Sequence, residues 1–218
     1  MNDMKKQKAF YVLFFGMILV NLLLYTKLPD QIPVHWNING QIDDYMSKLF
    51  IFFPIALLLL MNITFSILKH IDPKQSNYAR FAQTFEAIKL AIYLFIFCLW
   101  GITLVACFDP DLINISMMMN LLCGAIFTIL GNLMPKFKTN FFIGIKTPWT
   151  LSNETVWLKT HRMAGKLWFI GGILMIISAL FLRSNDMMIK QFIFIVCILA
   201  LVPCIYSYVL YRKITRNV

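Results

Sequence analysis

Charge is what this chain has least of: only 14% of its 218 residues are Asp, Glu, Lys or Arg, and 60% are hydrophobic. Most of the polar surface that a soluble globule shows to water is therefore missing, and a mean hydropathy of +0.72 points to a membrane protein. Catalytic signatures are missing as well. The sequence has no HExxH, no GxSxG and no paired aspartates inside an apolar run. Cys98, Cys107, Cys123, Cys197 and Cys204 lie in or at the ends of apolar stretches, without CxxC or Cys/His ligand spacing. They read as small buried apolar residues, and neither metal nor cofactor is expected.

What remains is a series of long apolar runs. A hydrocarbon core about 30 Å thick needs roughly 20 helical residues. Six runs approach that length: Ala9 to about Tyr25, then about Leu49–Leu68, Ala87–Phe108, Ile115–Met134, Met163–Leu182 and Gln191–Tyr211. The first is kept as a span because no small-residue cleavage site follows it. Lys and Arg decide the orientation. Sixteen of the 20 fall on one side: Lys5, Lys6, Lys8, Lys69, Lys74, Arg80, Lys89, Lys136, Lys138, Lys146, Lys159, Arg162, Lys166, Arg212, Lys213 and Arg216. Lys27, Lys48, Arg183 and Lys190 fall on the other. Both termini and the loop within 135–162 are expected in the cytoplasm. The net charge of +10 is thus an orientation signal; direct nucleic-acid binding would need the basic residues clustered on a soluble domain.

The expected fold is an all-α integral membrane protein. It is a six-transmembrane-helix bundle with a short extracellular hairpin-like loop and a longer cytoplasmic loop. Two modules are expected: residues 1–110 with external loop 27–48, and residues 111–218 with cytoplasmic loop 135–162.

In the external loop, Pro29 and Pro33 stop the first helix, and Asn39-Gly40 suits a tight two-residue hairpin turn. Val34, Trp36 and Ile38 alternate with His35, Asn37 and Asn39, so a short strand would lay an apolar face on the bilayer. His35 with Asp43 and Asp44 offers too few ligands for a metal. Either an aromatic-anchored interfacial hairpin or a ligand-recognition surface fits, with Trp36 and Tyr45 as its aromatics. In the cytoplasmic loop, Phe141-Phe142-Ile143 is too apolar for water and should dip into the interface or pack beneath the bundle. Gly144 permits a close approach, and Thr147-Pro148-Trp149 predicts an extended, non-helical corner. Ser152 would cap a helix opening at Asn153 and running unbroken into the fifth span. Trp157, His161, Ala164 and Trp168 then share one face. His161 there either titrates near neutral pH or satisfies a buried carbonyl.

The string GNLMPKFKTNFFIGIKTPWTLSNETVWLKTHRMAGK resembles the signature of the SdpI family of bacterial membrane proteins. LPDQIPVHWNINGQIDDYMSK resembles the domain of unassigned function that commonly precedes it. The family's name-giving member resists a secreted toxin peptide and, with that peptide present, holds a small transcriptional repressor at the membrane. The resemblance therefore implies an immunity and signalling protein of the cell membrane whose partners are a secreted toxin peptide, a cytosolic repressor and the lipid bilayer. It puts Pro33, His35, Trp36, Asn37, Gly40 and Asp43 on the peptide-sensing side. It puts Asn140, Gly144, Lys146, Thr147, Pro148, Trp149, Trp157 and His161 on the side of the cytosolic partner. Lys146 stands where many relatives carry Arg, which gives up bidentate hydrogen bonding.

A small-solute or peptide transporter or channel is the alternative. Ion-coupled pumps, however, place ionisable groups near the bilayer centre, and the six runs hold only Asn21, Asn62 and Asn120 as polar candidates, suited to interhelical hydrogen bonds. A membrane enzyme is not expected, because the topology puts His35, Asp43 and Asp44 on the opposite side from His161.

Overall fold

The computed structural model describes residues 3–182 and 184–216; Arg183, counted above on the sparsely charged side, lies outside them. Six helices are long and apolar enough to cross a membrane, over Gln7–Lys27, Lys48–Ile71, Ala82–Phe108, Ile115–Lys136, Glu154–Phe181 and Asn185–Thr215. The chain is a multi-pass membrane protein. Its long helices are α1 (Asp3–Leu24), α2 (Phe53–Ile71), α4 (Ala82–Phe108), α5 (Ile115–Leu133), α7 (Glu154–Phe181) and α8 (Asn185–Thr215). Two short ones, α3 (Ser76–Arg80) and α6 (Pro148–Ser152), lie at one end of the bundle. At the other end β1 (Gln31–Trp36) pairs antiparallel with β2 (Ile42–Ser47).

That hairpin departs from the expected geometry in two ways. Its turn is not a two-residue Asn-Gly turn. The loop is held open over residues 37–41 by the Asn37 side chain, whose Oδ1 accepts from the backbone N–H of Asn39 (2.9 Å) and of Gln41 (3.1 Å). Only Gly40 needs a positive φ, at 77°. The strand's alternation holds over Val34, His35 and Trp36 but not beyond, since β1 ends at Trp36 and Ile38 is exposed in the loop, and its apolar face rests on the bundle rather than on lipid. Ile32 is fully buried, Val34 packs against the core, and His35 points outward. Protein packing wins because β1 folds back over the ends of α2 and α4, where it covers apolar surface without leaving its own edge in hydrocarbon.

Among the intramembrane polar residues, Asn21 and Asn62 tie helices together. Asn21 Nδ2 donates to Ile51 O (3.1 Å) and its Oδ1 accepts from Trp100 Nε1–H (3.0 Å). Asn62 Oδ1 accepts from the Tyr93 hydroxyl (2.9 Å). One apolar core joins α1, the hairpin, α2 and α4, and another joins α5, α7 and α8. Between the latter helices runs a seam of glycines. Gly124 faces Gly172, and Gly131 faces Gly165, so closely that a Cβ on Gly124 would sit 2.8 Å from Gly172 O, and one on Gly165 would sit 2.7 Å from Gly131 O. The seven-residue spacing on each helix is two turns, so both pairs lie on the same contact line.

The Thr147-Pro148-Trp149 corner is a helix start rather than an extended stretch. Proline is well placed at the first helical position, where its missing N–H would have no intrahelical partner. Thr147 caps α6 in a reciprocal box with Thr150. Asn153, not Ser152, caps α7 by accepting from Val156 N–H (3.0 Å). As expected, α7 then runs unbroken through the fifth span.

Candidate functional site

The two stretches singled out in the sequence lie at opposite ends of the bundle, and they are built differently. At the hairpin end the side chains divide among three roles. His35 Nδ1 and Asp43 Oδ1 are 2.6 Å apart on the exposed outer surface. Asn37 shapes the loop, and Pro33 is buried at its base. Gly40 sits against Ile115 and Ser116, and the neighbouring Asn39 carbonyl accepts from Asn185 Nδ2 (3.0 Å). Asn185 Oδ1 accepts in turn from Asn114 Nδ2 (3.1 Å), so the hairpin tip is latched to the first turns of α5 and α8. Beneath it lies a cavity of about 740 Å³, roofed by Val34, Trp36 and Ile38 and walled by α2, α4, α5 and α8. Its size falls in the range of roughly 300–1,000 Å³ usual for ligand sites. Asp44 takes no part; its carboxylate accepts from the neighbouring Tyr45 N–H. Among the described residues no group of three or more His, Cys, Asp or Glu is placed to hold a metal.

At the other end, residues 134–153 form a knot. The Asn140 side chain folds the loop around itself: Nδ2 donates to the carbonyls of Lys138 and Ile143 (both 2.9 Å), and Oδ1 accepts from the N–H of Phe142 (2.9 Å) and Ile143 (2.6 Å). Gly144, at φ 119°, passes directly over the His161 ring, leaving no room for a Cβ beside Nε2. That approach lets Ile145 N–H donate to His161 Nε2 (3.0 Å), while Nδ1 lies 2.8 Å from Trp157 O. With Nε2 accepting, Nδ1 must be the protonated nitrogen, so the ring is held as one neutral tautomer. His161 therefore satisfies a buried carbonyl. Trp157 stacks on it at 4.1 Å between ring centroids and donates from Nε1 to Phe137 O (3.0 Å). Thr147 reaches Ser207 on α8 (3.0 Å between hydroxyl oxygens), and Trp149 packs on Tyr208.

Asn140, Thr147, Trp157 and His161 are thus buried in the knot, while Lys146 and Pro148 are exposed and Gly144 and Trp149 partly so. Ile143 packs beneath the bundle, and Phe141 stays half-exposed under the Lys74 ammonium.

Sequence reasoning missed Asp72. The loop after α2 reads as an ordinary polar connector, yet this carboxylate is 2% exposed and accepts from the Tyr78 hydroxyl (2.9 Å), Lys74 N–H (2.7 Å) and Phe141 N–H (2.9 Å). Asn77 adds a bond to Thr139 O (2.8 Å). Burial and the bond to Asp72 push the Tyr78 hydroxyl well above its usual range, so it stays a donor. The available signal was Asp72-Pro73, an acid positioned to close a turn, with Tyr78 on the short helix that follows. Asp72→Ala strands the Phe141 N–H and the Tyr78 hydroxyl, each at about 1–3 kcal/mol. Thermal unfolding of the detergent-purified protein should show the loss, with Tyr78→Phe milder. An unchanged midpoint for Asp72→Ala would mean the contact holds nothing.

Residues 136–207 match the SdpI/YfhL protein family, and residues 12–59 match a domain of unknown function, DUF1648. The chain is 28% identical over 214 residues to Immunity protein SdpI of Bacillus subtilis (strain 168), covering 98% of this chain and 100% of the relative. No solved structure matches it. All but the first two residues of the knot lie within the first match and the hairpin lies within the second, in the same order along one six-helix chain, so this membrane protein is similar to the SdpI/YfhL family over residues 136–207 and to DUF1648 over residues 12–59.

Proposed function

We propose that this chain is an immunity protein of the cell membrane, protecting its host against a secreted, membrane-active peptide. The observation that carries the reading is the end-to-end likeness to a protein named for immunity, which includes both the hairpin and the knot. The hairpin end faces outward and both termini face the cytoplasm. This orientation is supported by the sixteen-to-four division of Lys and Arg.

The protein works by binding, not catalysis. Peptide engages the outer end, where His35 and Asp43 offer polar contacts and Trp36 an aromatic one, and the bound state favours one packing of the bundle. Only a difference in affinity between two packings transmits a signal. The inner end then presents Lys146, Pro148 and Trp149, ringed by Lys136, Lys138, Lys159 and Arg162, to a cytosolic transcriptional repressor. The buried set Asn140, Gly144, Thr147, Trp157 and His161 gives that surface its shape.

The test is survival of a deletion strain under secreted membrane-active peptides of related bacteria, with the wild-type gene and a His35→Ala, Trp36→Ala double variant restored in parallel. Sensitisation rescued by the wild type but not by the variant, at equal membrane levels, is the expected result. Survival that never differs between deletion and parent would end the immunity reading.

A further inference from the structure

Pro203 sits inside α8, well short of the helix end at Thr215. A proline there has no N–H to give to the carbonyl four residues earlier, which is that of Leu199. Leu199 is 3% exposed and stands near the middle of the span, out of reach of water and head groups. An unpaired backbone carbonyl at that depth is strongly unfavourable. The partner comes from another helix: Trp168 of α7 donates from Nε1 to Leu199 O at 3.0 Å. Gly171, one turn further along α7, permits the approach, since a Cβ there would lie 3.0 Å from Leu199 Cδ2. Phe127 of α5 packs edge-on to the same indole, with ring centroids 5.2 Å apart.

The two parts of α8 on either side of this joint belong to opposite ends of the bundle. Before Pro203, Asn185 bonds the hairpin tip, and Ile189 and Phe192 line the cavity beneath the hairpin. Beyond Pro203, the Ser207 hydroxyl meets Thr147, the cap of α6, and Tyr208 packs on Trp149 within α6. An ordinary helical hydrogen bond at residue 203 would break only if α8 unwound. A bond to Trp168 can break while the helix stays intact on both sides, because proline has already removed the backbone tie between them.

We propose that Pro203 is a pivot and Trp168 its catch. With the indole bonded to Leu199 O, α8 holds the packing described above; with the bond released, segment 203–215 swings and carries α6 with it. The proposal rests on the functional reading above, for which it names the element with two packings. In the swung packing the opened joint lets a local 3₁₀ or π turn re-pair the carbonyl. The segment is about 18 Å long, so a change of about 20° at the proline moves its end by about 6 Å. The rival is a static role, in which the indole fills a gap and α8 stays in place when it is removed.

The test uses the full chain in phosphatidylethanolamine/phosphatidylglycerol nanodiscs, with spin labels on p-acetylphenylalanine at positions 159 and 213. Both positions are exposed, one on α7 and one on the swinging segment. Electron–electron resonance should give a single distance for the wild type and a second population, shifted by about 6 Å, for Trp168→Phe. Benzothienylalanine at position 168, which keeps the fused ring and lacks the N–H, should give the same second population, and it decides the matter if Trp168→Phe does not fold. Adding Pro203→Ala to either variant should restore the single distance, because the residue at 203 then supplies Leu199 O with a backbone N–H. A single wild-type distance in the benzothienylalanine protein overturns the proposal and assigns the bond a static role. So does a second population that persists with Pro203→Ala, since the indole would then act through its packing on Phe127. The distances are read without peptide or repressor. A failed pivot therefore leaves the immunity reading to the survival assay, and a deletion strain never sensitised ends that reading while the distances still decide the pivot.

Discussion

Gly131→Val should remove nearly all folded protein from the membrane. A Cβ at Gly131 would meet the backbone nitrogen of Phe169 and lie 2.8 Å from Gly165 O, and these obstacles belong to the facing helix, not to a side chain that can turn away. Overpacking against movable side chains costs about 1–3 kcal/mol; here α5 and α7 must separate along their length. In lipid that separation is not opposed by a hydrophobic force between helices, so close contact of small residues is a large part of what holds the pair. Gly172→Val should behave alike, since its Cβ would meet Thr128 Oγ1 and lie 2.5 Å from Gly124 O. Gly16 and Gly101 supply the control, having nothing within 4 Å of an added Cβ. Size-exclusion chromatography of detergent extracts should show a monodisperse peak for Gly16→Val and Gly101→Val and none for Gly131→Val or Gly172→Val. A normal peak for Gly131→Val would remove the seam from the account of the fold.

The six spans were legible because the requirement they meet is crude: enough consecutive apolar residues, with charge kept to the ends. The unbroken entry of α7 into the fifth span was legible for a similar reason, since Trp157, His161, Ala164 and Trp168 repeat at helical spacing and share a buried or partly buried face. Where the reading went astray, two local rules competed. Thr147-Pro148 restrains the residue before proline, which suggested an extended corner, but the same proline suits the first position of a helix, and Thr147 with Thr150 completes the cap. Asn39-Gly40 has the letters of a two-residue turn, but Asn37 two residues earlier captures the loop first.

The remainder depended on residues far apart in sequence. Nothing near Asp72 announces that Phe141, 69 residues on, will bring it an N–H. The glycines of the seam leave a trace, a spacing of seven on two apolar runs, but each run alone reads as an ordinary span. The cavity leaves none, because its lining comes from the hairpin and four helices and each stretch is merely apolar. Asn21, Asn62 and Asn120 look equivalent in sequence, and only the packing separates the two that tie helices from the one that does not.

Trp157→Ala is the second large effect expected, and it separates the shape of the knot's surface from the contacts made on it. The indole is fully buried, lies against His161 and bonds through Nε1–H to Phe137 O. Truncating a buried tryptophan costs about 3–5 kcal/mol. The loss should not stay local: without the indole, His161 loses the ring that fixes its plane, and Ile145 N–H loses the acceptor that holds Gly144 against α7. Amide hydrogen exchange over residues 137–147 should rise steeply in Trp157→Ala, along with the fall in melting temperature. Lys146→Ala, on an exposed side chain, should leave both within the roughly 0.5 kcal/mol of ordinary surface changes. If a cytosolic partner reads this end of the bundle, the two variants should then weaken its recruitment by different routes. Lys146→Ala acts on a folded loop, and Trp157→Ala acts by unfolding it. Unchanged exchange over 137–147 in Trp157→Ala would mean that Asn140 and the Asp72 bond hold the loop without the indole, and the knot would then have its centre at Asn140 rather than at His161.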